Sequence, residues 1–272
     1  MKRVLDFFVY SNVLISIVAT YIYWGTCNTF HLTFDRDILI FILCATGASY
    51  NLHWYFTNDK NGDRNLWNRT NKKIIGTLFI IYVLISGLLL LRHISWIPFM
   101  LPTICLTLIY SAPKFPIKFL HRLQGKALAK TFYLSFVWTF TTCLLPFLIS
   151  DSALNYESIF YIITQFVFFY IICLLFDYKD RHEEKIPFLF IDTNRHIVKI
   201  ILLLMIAPIT TLIILPNTIL IHQLSISFLL SYWFILFTLP TSLNTKNDYW
   251  FYGVLDSWMA APLLIHQIIQ LF

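Results

Sequence analysis

Long apolar runs follow one another along this chain, and they constrain the fold more than any other feature. Apolar residues make up 58% of the 272 positions and charged residues only 12%. Runs of about 20 apolar residues recur, each long enough as a helix to cross about 30 Å of hydrocarbon. Inside hydrocarbon every backbone polar group must be satisfied within the segment, so helices are the available solution. Short alternating segments, the mark of a β-barrel, are absent. The expected fold is a single all-α transmembrane bundle of nine helices, at about 5–24, 38–56, 74–91, 94–110, 127–149, 157–176, 197–215, 218–238 and 250–271. The first run follows Met1-Lys2-Arg3 as a signal peptide would, but it is long and lacks a small-x-small cleavage site, so it reads as a retained helix.

The basic residues orient this bundle, because Lys and Arg are held on the cytoplasmic side of short loops. With the amino terminus inside, only Arg36 and Arg92 of the 20 basic residues lie outside. The expected setting is the inner (cytoplasmic) membrane of a bacterium, with the carboxyl terminus outside. The formal charge of +6 is then a topological signature, and nucleic acid is not an expected partner. Cys27, Cys44, Cys105, Cys143 and Cys173 stand singly in apolar runs, which argues against zinc and against disulfides. The sequon Asn68-Arg69-Thr70 falls in a cytoplasmic loop. No Gly-rich phosphate loop, G-x-S-x-G elbow or H-E-x-x-H helix occurs.

Polar chemistry gathers in three cytoplasmic segments, after the second, fourth and sixth spans. Asn51, Tyr55 and Asp59 share one helical face at i, i+4 and i+8. Tyr110-Ser111-Ala112-Pro113-Lys114-Phe115-Pro116-Ile117-Lys118 continues to Arg122 and Lys126, its prolines excluding a regular helix and its cations suiting a polyanion such as diphosphate. Asp177, Asp180 and Glu184, at i, i+3 and i+7, stack on one face where hydrocarbon meets headgroups. Two readings of that face stay open. Either the three acids gather a hard divalent cation with oxygen ligands, Mg²⁺, or they form a solvated helix end balanced by Lys179, Arg181 and Lys185. Asp63 and Arg64 read as a solvated turn after Gly62, His53 as an interfacial polar group and His266 as a helix-end residue.

In order and position these segments resemble the motifs of the UbiA superfamily of intramembrane prenyltransferases. The resemblance runs through the Asn-led motif from Asn51 to Asp59, Tyr110-Ser111-Ala112-Pro113 with Lys114 and Lys118, and the D-x-x-D-x-x-x-D-like stretch Asp177-Tyr178-Lys179-Asp180-Arg181-His182-Glu183-Glu184. Asp256 is similar to a lone acid carried by many relatives in the last span. The resemblance implies that Mg²⁺ between two acidic motifs binds a polyprenyl diphosphate, whose allylic cation a lipophilic, aromatic acceptor captures. Asp177 and Asp180 would then be the catalytic pair. Asp59, Asp177, Asp180 and Glu184 would be the metal ligands, and Asn51, Tyr55, Tyr110, Lys114, Lys118 and Arg122 would bind the substrate. Two departures stand out. Leu52 and Tyr55 occupy places where the family has aspartates, and Glu184 replaces the final Asp. A non-catalytic relative that binds an isoprenoid or scaffolds a complex is the alternative, and a transporter is a third reading.

Overall fold

The computed structural model describes residues 2–57, 62–111, 127–184, 199, 202–203, 205–206, 208–210, 218–245 and 247–271, with the side chains of 110–111, 127–130 and 180–184 excepted. The elements among these residues are helical. Helices α1 (Lys2–Tyr10) and α2 (Val13–Thr29) are followed by α3 (Arg36–Phe56), the short α4 (Asp63–Thr70) and α5 (Lys72–Arg92). A 3₁₀ turn, Ile94–Trp96, leads into α6 (Ile97–Ser111). Helix α7 (Ala127–Thr139) passes through a π turn, Phe140–Leu144, into α8 (Leu145–Ile149). Helices α9 (Tyr156–Glu184) and α10 (Ile219–Asn244) precede a second π turn, Trp250–Leu255, a single turn Asp256–Trp258, and α11 (Ala261–Ile269).

Five helical stretches among the described residues are long and apolar enough to cross a bilayer: Arg36–Phe56, Lys72–Arg92, Thr131–Ile149, Tyr156–Lys179 and Ile219–Asn244. The pair α1 and α2 makes a sixth if its two arms form one span. That pair differs from the single helix expected over 5–24, because it bends by 60° at Ser11 and Asn12. Asn12 takes φ 65°, a left-handed conformation that asparagine adopts more readily than most residues. The run expected at 94–110 is a 3₁₀ turn and a 15-residue helix, and the run expected at 250–271 is divided between a π turn and two short helices. Most of the run expected at 197–215 lies outside the described residues.

Helix α5 sits at the periphery, where Leu84, Leu88 and Leu91 are 60%, 66% and 69% exposed. A continuous face of this kind is stable only against hydrocarbon. Together with the other long apolar helices, it marks the chain as an integral membrane protein. The inner face of α5 packs on α3 closely enough that a Cβ on Gly47 would lie 2.4 Å from the Tyr82 ring. At the far end of this pair, Asp35 caps α3 by accepting from the Asp37 N–H at 2.7 Å, and Asp37 meets Arg92 at 3.1 Å and His93 at 2.8 Å.

Buried aromatic rings fill the core. Phe168 of α9 packs against Phe228 and Tyr232 of α10 with centroids 6.2 and 5.3 Å apart. Polar contacts fix the register, with the Tyr161 hydroxyl 2.8 Å from Thr26 Oγ1 and Gln165 Nε2 donating to the Met259 carbonyl at 3.2 Å. The π turn in the α7–α8 helix precedes Pro146, which lacks the N–H a regular turn would need. Helix α9 has 29 residues. At 1.5 Å per residue it extends to about 43 Å, longer than the hydrocarbon core, and Asp177 and Lys179 stand at the end of its apolar stretch.

Candidate functional site

Between α3, α5, α6, α7, α9 and the final segment lies a cavity of about 740 Å³. This is within the range of sites that take small ligands. Phe41 and Ile42 of α3, Phe79 and Val83 of α5, Met100 of α6 and Leu134 of α7 make one part of its wall apolar. The other part is charged and polar, with His53, Arg64, Thr131, Asp177, Lys179, Asp248 and Asp256. One cavity therefore joins a hydrocarbon-like chamber to a mouth carrying both signs of charge.

Arg64 was expected in a solvated turn, and the structure corrects this. Gly62, at φ 92°, turns the chain into α4, and Arg64 in its first turn is only 2% exposed. Its guanidinium lies between the rings of Trp54 and Tyr252, 4.0 Å from each centroid. One of its N–H groups donates to the Asn12 side chain, while Nε has no hydrogen-bond partner among the described residues. Burial pulls its pKa down from the ordinary arginine value, and Tyr252, Asp256 and Asp248 push it back up. An arginine stays protonated through such shifts, so a buried positive charge stands at the mouth.

Lys179 supplies the second cation. Its Nζ lies 2.6 Å from Asp248 Oδ1, and it sits 4.8 and 4.4 Å from the ring centroids of Phe251 and Tyr252. The other Asp248 oxygen accepts the Arg64 backbone N–H at 2.8 Å. This carboxylate thus ties the start of α4 to α9, and the fit is close enough that a Cβ on Gly62 would lie 3.1 Å from it. Helix α1 closes the same end, with Tyr10 packing on Trp67 and Tyr249 and the Tyr249 hydroxyl donating to Asp6.

The residues proposed from the sequence are distributed unevenly around this cavity. Asp177 lines it and accepts a hydrogen bond from Thr131. Asn51 is fully buried outside the lining, accepting from Asn12 Nδ2 at 3.0 Å and donating to the Gly47 carbonyl at 2.8 Å. Tyr55 is 36% exposed and turns toward α5, with Lys72 Nζ 4.6 Å from its ring centroid. Leu52 does line the cavity. Tyr110 lies in the last turn of α6 and Asp180 and Glu184 in the last turns of α9, but their side chains are outside those described. Asp59, Lys114, Lys118 and Arg122 lie outside the described residues altogether. His53 lines the cavity, and His266 stands in the last turn of α11, the helix end expected for it, where it is fully buried.

Of the metal ligands that the resemblance implies, Asp177 is the one with a described side chain. Among the described residues no three His, Cys, Asp or Glu side chains come together as metal ligands. Both Asp248 oxygens are engaged, one of them by an ammonium group, and Asp177 already accepts from Thr131. Arg64, Lys179, Asp248, Trp54 and Tyr252 are the residues that reading the sequence missed. Their burial depends on contacts between segments far apart in the chain. The available signal was Lys179 inside the acidic stretch, which reads equally as a balancing surface charge.

With the geometry in view, comparison with protein-family models, with curated proteins and with solved structures finds no match to this chain.

Proposed function

We propose that this chain is a nine-span, UbiA-like intramembrane protein that binds a polyprenyl diphosphate, with the isoprenoid tail in the apolar chamber and the anionic head at the Arg64 and Lys179 mouth. The carrying observation is the continuity of that one cavity, from Phe41, Phe79 and Met100 to the buried Arg64 and the half-buried Lys179. A hydrocarbon tail with an ionic head matches both parts at once, whereas a small inorganic ion leaves the chamber without purpose. Transfer of the prenyl group to a lipophilic acceptor is the chemistry that the α9 acids would serve in such a protein. Asp177, the member of that set whose side chain is described, is on the cavity wall. The amino terminus lies in the cytoplasm and the carboxyl terminus outside, by the distribution of basic residues.

A non-catalytic carrier of an isoprenoid is the second reading, and two observations favour it. Leu52 presents an aliphatic chain to the cavity where the resembling family has an acid, and Asp248 is already neutralised by Lys179. The test is to purify the protein from its own membrane, identify co-purifying lipids by mass spectrometry, and measure binding of prenyl diphosphates with and without Mg²⁺. The proposal expects an isoprenoid in the extract and saturable binding of the diphosphate. Release of pyrophosphate with a prenylated acceptor selects the transferase, and binding without turnover selects the carrier. Ordinary phospholipid alone, with no diphosphate binding, overturns both.

A further inference from the structure

We propose that Asp248 is the resident counter-ion of the head site, and that an anionic headgroup displaces it from Lys179 on binding. The inference rests on the reading that the cavity takes an anionic amphiphile. Asp248 belongs to neither acidic stretch, yet it lines the cavity and its side chain is 6% exposed against 13% for Lys179. One oxygen holds the Lys179 ammonium at 2.6 Å and the other holds the Arg64 N–H at 2.8 Å. The Lys179 ammonium is also fixed over the Phe251 and Tyr252 rings, so it remains at the mouth whichever anion it meets. Beside it, Arg64 is 2% exposed, and its Nε is a donor for which the described residues supply no acceptor.

An incoming head with several anionic oxygens can engage both cations, while the single Asp248 oxygen reaches only one. A buried ion pair gains little net stability once its desolvation is counted, so exchanging one anion for another of higher charge is within reach. Asp248 keeps its bond to the Arg64 N–H during this exchange, and α4 stays capped. The contact therefore neutralises Lys179 in the empty site and competes with the ligand. A purely structural clamp predicts the opposite sign: removing the charge at 248 would weaken binding.

The experiment measures the affinity of full-length protein in nanodiscs for geranylgeranyl diphosphate and for uncharged geranylgeraniol. Asp248→Asn and Asp248→Ser both retain an acceptor for the α4 N–H while removing the charge. The expected result is diphosphate binding about tenfold tighter in either variant, with alcohol binding unchanged and the gain lost when Lys179→Gln is added. Asp248→Glu should stay at the wild-type affinity. Diphosphate binding that is unchanged or weaker in both neutral variants, or failure of both to fold, overturns the proposal and makes the pair a structural clamp. If wild type and both neutral variants bind neither the diphosphate nor the alcohol, the amphiphile reading itself fails, and this inference with it.

Discussion

Arg64 is held by the plane of its guanidinium between two aromatic faces, and this decides which substitutions it tolerates. Lysine keeps the charge but cannot stack between Trp54 and Tyr252 or reach Asn12 with a flat fork of donors. Arg64→Lys is therefore expected to weaken prenyl diphosphate binding by about tenfold, close to the loss in Arg64→Gln, and titration of both variants checks this. Binding at the wild-type level in Arg64→Lys would show that charge alone suffices. This residue also marks how far the sequence could be read. Gly62 marks a break in the chain, but Asp63 and Arg64 open α4 where a solvated turn was expected, and the burial of the Arg64 side chain depends on Tyr252, which the second π turn brings from the far end of the chain. Asp177 is different, since its place at the end of an apolar run singles it out in the sequence, and the structure has it lining the cavity.

At the scale of elements, most apolar runs were legible because period and length fix a membrane helix, while the breaks within them were not. The bend at Asn12 replaces an expected straight helix, and it is stabilised by contacts that no local pattern reveals: Asn12 donates to Asn51 and accepts from Arg64. Asn12→Ala should lower unfolding stability by about 2 kcal/mol or more, through the positive φ and the orphaned partners. Asn12→Gly relieves the backbone part only and should fall between the two, as denaturant titration in detergent would show. Equal losses in Ala and Gly would remove backbone conformation from the account. The α3–α5 pair makes a second test, because Gly47 admits the Tyr82 ring where no Cβ fits. Gly47→Leu is expected to destabilise by about 1–3 kcal/mol, unless Tyr82→Ala is introduced with it to restore the space.

For the whole molecule, the proposed topology rests on the uneven distribution of charge and the proposed function on the cavity. Under the proposed topology, which puts all basic residues except Arg36 and Arg92 on one side, reporter fusions after Lys73 and after Lys126 should read as cytoplasmic and a fusion after Phe272 as external. An external signal after Lys126 would invert the bundle. The central claim is that one cavity receives tail and head together. Its most direct test is photo-crosslinking with a prenyl diphosphate carrying a diazirine in the tail, followed by peptide mapping. The account predicts labels on chamber residues such as Phe41, Phe79, Met100 and Leu134, abolished by excess unlabelled diphosphate. Labels confined to the outward face of α5, at Leu84, Leu88 and Leu91, and insensitive to competitor would contradict it.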